Sequence, residues 1–290
     1  MKSRRKNNSR SPNIAPRSAL SYYRSGPPAA KSPFQRTPKP KRRRYLAKVL
    51  DWLIVLAVLG GIVYGLLLQP SPSIVLNSTA YHPAETYRDA TAANLKSLKN
   101  RNKLTFDEHS LLISLKQKFP EINNITVDLP LFGQVPTIHI VIAQPSLMLK
   151  SATGSTNATE HFIVDSKGTV VGSQSTFPAV KNLPLINDET GFGTQIGRSA
   201  LSITDVNFIL SVIAQAKKAN IPIASLTLPK LAQELDLRTT DRGYFVKFYL
   251  AGDALFQSGQ FLAARKHFDQ TKKQPRQYLD VRVSGKVYFK

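Results

Sequence analysis

The sequence predicts an α+β protein with one N-terminal transmembrane helix, a small β-α-α-β-β domain and a second, β-rich α+β domain. Three observations predict it. Trp52 to Leu68 is a run of 17 residues without a charge, long enough to cross a bilayer as a helix once extended back through Tyr45. Residues 105–119 repeat apolar side chains at helical spacing, and residues after 122 alternate apolar and polar side chains as strands do.

The formal charge of +22 is unevenly spread. Fifteen of the 40 Lys and Arg residues fall within residues 1–50, which hold no Asp or Glu. Residues 1–44 are also rich in Pro and Ser, so they read as a disordered basic tail that cannot bury enough apolar surface to fold. Residues 45–69 form the expected span. Lys41, Arg42, Arg43, Arg44 and Lys48 beside it predict a cytoplasmic tail and an extracytoplasmic remainder. Anionic lipid headgroups are the expected partner of the tail. No folded reader of nucleic acid is apparent, and none is expected to bind. A cleaved signal peptide fits less well, because the basic region is too long and Gln69-Pro70-Ser71-Pro72 lacks a small-x-small site. Gly61 and Gly65 form a G-x-x-x-G pair that would let two membrane helices pack closely.

Residues 72–144 form the first outer domain. Ile74 to Leu76 reads as a strand. Ala84 to Leu98 reads as a helix burying Tyr87, Leu95 and Leu98. Thr105-x-x-Glu108 reads as a capping box for a second helix with Leu111, Leu115 and Phe119 on one face, ended by Pro120. Ile125, Val127 and Leu129, then Ile138, Ile140 and Ile142, give two strands joined by a turn at Pro130 to Gln134.

Residues 145–290 form the second domain. Strands are expected at Ser146 to Ser151, Phe162 to Val171 (a hairpin turning at Ser166 to Gly168), Ile223 to Leu228, Glu234 to Arg238, Tyr244 to Leu250, Tyr278 to Val283 and Lys286 to Phe289. The stretch from Leu183 to Gly197 reads as a polar loop. Ser202-x-x-Asp205 caps a helix with Ile203, Val206, Leu210 and Ile213 on one face, and a further helix covers Asp253 to Gln270.

Chemistry is sparse. The chain has no Cys, which excludes disulfides and thiolate sites, and its five His do not pair at ligand spacing. G-x-S-x-G is absent, and Gly191-Phe192-Gly193 does not continue to the spacing of a dinucleotide site. The pair Asp188-Glu189 could suggest glycoside hydrolysis, but adjacent acidic residues in a polar loop are usually solvated. No catalytic, metal or cofactor residue is therefore expected.

Several short motifs, in order, carry a resemblance: Phe119-Pro120-Glu121-Ile122 with Ile125-x-Val127, Ile138-x-Ile140-x-Ile142 with Pro145, Phe162-Ile163-Val164-Asp165-Ser166-Lys167-Gly168, Leu183-Pro184, and Tyr278-Leu279-Asp280-Val281-Arg282. Together with the single span they resemble the bacterial cell-division family FtsQ/DivIB, in which the first outer domain is a POTRA module. Val75-Leu76-Asn77-Ser78 and Ala143-Gln144-Pro145 depart from the family's Val-x-Gly and Glu-Arg-x-Pro signatures. The resemblance implies a non-enzymatic divisome scaffold at the septum of the plasma membrane, linking early and late division proteins through FtsB/FtsL-type partners. A membrane-anchored cell-wall enzyme and an assembly-platform protein of a secretion or pilus system remain alternatives.

The last strand reads as an edge strand, open to a partner's strand. With the strand before it, the expected partner-binding residues are Tyr278, Asp280, Val281, Arg282, Val283, Val287, Tyr288 and Phe289. Lys286 and Lys290 would equally serve to protect such an edge from aggregation.

Overall fold

A computed structural model describes residues 41–97, 99–153, 158–231 and 233–290, with the backbone alone for residues 41–44. The expected tail lies outside the described residues except for its last four, and so do Leu98 and much of the loop before Thr159. The described chain is mixed α+β, with five helices and two sheets.

Helix α1 spans Lys41–Leu66. It starts four residues before the expected span, because Lys and Arg are good helix formers and nothing caps the chain at Tyr45. It ends at Leu66 rather than 69. Tyr45–Leu66 is long and apolar enough to cross a membrane, and none of it is buried within the chain, which is consistent with a single-pass membrane protein. A Cβ built on Gly61 or Gly65 would meet nothing, so both lie open on this helix.

The small lobe runs β1 (Ser73–Leu76), α2 (Ala84–Leu95), α3 (Glu108–Lys118), β2 (Ile122–Asp128) and β3 (Thr137–Ile142). Its strand order is β1-β3-β2, with β1 parallel and β2 antiparallel to the central β3. Both helices cover the sheet. Tyr87 and Ala90 of α2 and Leu111 and Leu115 of α3 pack with Phe119 on Ile125, Ile138, Ile140 and Ile142. The cap of α3 differs from the expectation. Asp107, not Thr105, accepts from the Ser110 amide at 3.0 Å. Thr105 instead donates to Lys99 O at 2.6 Å. A carboxylate beside the first turn is the better acceptor for its free amides.

The large lobe holds β4 (Pro145–Ala152), β5 (Thr159–Asp165), β6 (Val170–Ser173), β7 (Leu185–Asp188), α4 (Ile203–Lys218), β8 (Ile223–Leu228), β9 (Glu234–Thr239), β10 (Phe245–Tyr249), α5 (Ala254–Thr271), β11 (Tyr278–Asp280) and β12 (Tyr288–Phe289). They form one nine-stranded sheet, ordered β12-β11-β10-β9-β8-β7-β4-β5-β6. Strand β7 replaces the expected loop: its four residues lie parallel to both β4 and β8, and Ile186 is fully buried.

Two parallel crossovers, β7-α4-β8 and β10-α5-β11, run in the same direction along the sheet. Right-handed crossovers then place both helices on one face. There Val206, Ile209 and Val212 of α4 and Phe261 and Phe268 of α5 meet Leu235, Leu237, Val246, Phe248 and Leu279. The capping box of α4 forms as expected, with Asp205 N donating to Ser202 Oγ and Ser202 N to Asp205 Oδ2, each at 3.1 Å. Ile203 lies exposed, and Phe208 and Ile209 take the buried face instead.

Candidate functional site

The bare face of the large sheet, at its β9 to β12 end, carries a connected network of charged side chains. Along β10, Val246 and Phe248 point to the helices, so Phe245, Lys247 and Tyr249 point away. Register sets Asp236, Lys247 and Asp280 in one row across β9, β10 and β11. Lys247 Nζ donates to Glu234 Oε1 at 2.9 Å, and Glu234 is almost fully buried. Arg282 forks onto Asp280, with Nε to Oδ1 at 2.9 Å and Nη2 to Oδ2 at 2.7 Å, and its Nη1 pairs with Glu234 Oε2.

This network sets the protonation of its members. Burial, and then the charge of Glu234, push the Asp236 carboxyl up to about 6. Burial also works against the Asp280 charge, but the hydrogen bonds from Arg282 outweigh it and hold Asp280 below the usual carboxylate range. Aromatic rings flank the charges. Lys247 Nζ lies 5.4 Å from the Phe245 ring centroid and 5.5 Å from that of Tyr278, and Arg238 stacks over Phe245 at 4.9 Å.

Beside this face, β12 is the outermost strand of the sheet. It pairs antiparallel with β11, Leu279 opposite Phe289 and Asp280 opposite Tyr288. Lys290 N donates to Tyr278 O at 3.1 Å, and Lys290 O accepts from the amides of Arg276 and Gln277 at 2.8 and 2.6 Å. Amides alternate along a strand, so those of Val287 and Phe289 point off the sheet. Helix α5 holds the turn before β12: Gln260 Nε2 donates to Val283 O at 3.1 Å and to Lys286 O at 3.0 Å. Between α5 and β12 opens a groove of about 370 Å³, walled by Ala264, His267, Phe268, Val287 and Phe289.

The expected partner-binding residues divide by position. Val283, Tyr288 and Phe289 are exposed apolar side chains, and Val287 is half-buried against the core. Tyr278, Asp280 and Arg282 belong to the charged face. Val281 is fully buried in the core and is not available for contact. It faces the helices, where apolar pairing fixes its side of the strand. The network centred on Glu234, Asp236 and Lys247 has no counterpart in the sequence reading.

A second concavity, of about 490 Å³, lies beside Asp188 and is walled by Leu149, Phe192, Arg198, Leu201 and Leu228. Asp188 Oδ2 accepts from Ser151 Oγ at 2.6 Å, and Oδ1 accepts from Thr190 N at 3.0 Å and Thr190 Oγ1 at 2.6 Å. Both oxygens are engaged locally, as in a carboxylate that fixes a turn. Glu189 is exposed. Among the described residues there is no group of three or more His, Asp or Glu placed to hold a metal ion. No protein-family model matches this chain, and no curated protein matches it.

Proposed function

We propose that this protein is a single-pass scaffold of bacterial cell division of the FtsQ/DivIB type, without enzymatic activity of its own. The tail lies in the cytoplasm and both lobes lie outside, at the septum. The strand-helix-helix-strand-strand order of the small lobe supports reading it as a POTRA-like module. The observation that carries the function is β12. It is an outermost strand with outward amides at Val287 and Phe289, next to an apolar groove and a charged face.

An extended segment of an FtsB/FtsL-type partner would add to β12 by backbone hydrogen bonds. Its apolar side chains would enter the groove by Phe268 and Phe289. Basic or acidic side chains would read the Asp280–Arg282 and Asp236–Lys247 face. Strand addition demands no reacting group, so a lobe built from core, edge and charge suffices.

The competing reading is a membrane-anchored cell-wall enzyme, and the concavity beside Asp188 is the observation that favours it. A fluorescent fusion in dividing cells tests the proposal. A midcell band is expected. Uniform or polar fluorescence overturns the divisome role and leaves a secretion or pilus platform. Altered wall composition on Asp188→Asn with Glu189→Gln would favour the enzyme.

A further inference from the structure

The end of α1 is tied to two loops of the small lobe. Leu66 O accepts from the Lys103 amide at 2.9 Å, and Leu68 N donates to Arg101 O at 2.8 Å. Tyr64 O accepts from Gln134 Nε2 at 2.8 Å, and Gln69 N donates to Gln134 O at 2.7 Å. Leu66 O is one of the last-turn carbonyls that a helix leaves without a partner, and Tyr64 O takes the Gln134 bond beside the one from Leu67 N. Lys103 Nζ donates to Gly133 O at 2.7 Å and joins the two loops into one collar.

The collar carries large apolar side chains where a solvated turn would be polar. Leu104 is 76%, Leu131 91% and Phe132 95% exposed. Their setting accounts for them. The 22-residue stretch Tyr45–Leu66, charged only at Lys48 and Asp51 near its N-terminal end, makes a helix about 33 Å long, against about 30 Å of hydrocarbon. Leu66 therefore falls at the hydrocarbon boundary. Loops bonded directly to residues 64–69 then lie in the interfacial zone, roughly 5 to 7 Å deep on each side. Phe and Leu bury themselves in that zone, and an exposed basic side chain such as Arg101 reaches the headgroups.

We propose that the loops at residues 101–104 and 130–134 form a membrane-seated collar, with Leu104, Leu131 and Phe132 inserted into the leaflet at the Leu66 end of α1. The inference rests on α1 spanning the bilayer. Its occupant is lipid, because the loops are hydrogen-bonded to the end of the span itself. The collar would fix the tilt of the small lobe on the membrane.

Fluorescence of the full chain in vesicles of mixed phosphatidylcholine and phosphatidylglycerol, with and without brominated acyl chains, tests it. Trp52 is the one tryptophan and reports on the span in the wild-type protein. In a Trp52→Phe, Phe132→Trp variant the single indole reports on the collar. Both the Leu131 and Phe132 side chains are almost wholly exposed, so substitution there leaves the fold intact. The indole at position 132 is expected to lose at least about two-fold of its emission to chains brominated near the headgroup, and to recover it when Leu104→Glu and Leu131→Glu are added. Quenching of Trp52 without quenching at position 132 overturns the collar and leaves the span standing. Absence of quenching at Trp52 overturns both.

Discussion

Phe268 of α5 meets Phe289 of β12 edge to face, with ring centroids 5.1 Å apart. Phe268 is 4% exposed and Phe289 58%, so one ring belongs to the core and the other clasps the outermost strand onto it. Such pairs contribute about 0.5 to 1.5 kcal/mol beyond their area burial. Phe289→Ala is expected to speed hydrogen exchange of the Lys290 amide roughly ten-fold while leaving the α3 amides unchanged. Mass spectrometry of the exchanged peptides reads both.

Asp236 gives a pH signature. Its folded pKa, about 6, lies above the ordinary carboxyl value of 3.8. Between those values the folded state holds a proton that the unfolded chain has released, so stability falls as pH rises, and the loss is complete above about 6. Asp236→Asn should remove that loss. Allowing for solvent screening, the variant is expected to gain on the order of 1 to 2 kcal/mol relative to wild type at pH 7.5, and little below pH 4. Urea melts at the two pH values check it.

In the small lobe, Tyr87 Oη donates to Glu121 Oε1 at 2.9 Å, and both side chains are buried. Burial raises the Glu121 carboxyl above its ordinary value, and the Tyr87 hydrogen bond opposes that rise. Tyr87→Phe leaves the carboxylate short of a donor, at a cost of about 1 to 3 kcal/mol. Raising the folded pKa further makes stability fall more with rising pH. The cost is therefore expected to be larger at pH 8 than at pH 5, as thermal melts at each would record.

Gly168 turns the β5-β6 hairpin at φ +83°, and its carbonyl accepts from Ala200 N at 2.9 Å. A Cβ there would run into the Leu201 carbonyl in a backbone conformation that L side chains rarely adopt. Gly168→Ala should cost more than about 2 kcal/mol, read as a lowered denaturation midpoint with an unchanged slope.

Local sequence carried much of the fold. Alternation through Phe245 to Tyr249 and the Ser202–Asp205 box state their structure within a few residues. Thr105-x-x-Glu108 misled because Asp107, inside the same motif, is the stronger acceptor. Strand β7 was hidden because Leu185–Asp188 is four residues with one buried side chain, and only its neighbours β4 and β8 make it a strand. The charged face was illegible for a similar reason. Asp236, Lys247 and Asp280 become one row through strand register, which brings together residues far apart in the chain. Val281 and Val283 read alike in sequence, yet one lies in the core and the other outside.

Capture of a partner strand on β12 is tested most directly by binding of a purified FtsB/FtsL-type complex to the full chain in nanodiscs, wild type against Val287→Pro. Proline at this position removes an outward amide and no hydrogen bond inside the sheet. Binding at least about ten-fold weaker is expected, with exchange protection of the small lobe unchanged. Wild-type affinity in the Val287→Pro protein would contradict strand addition at β12.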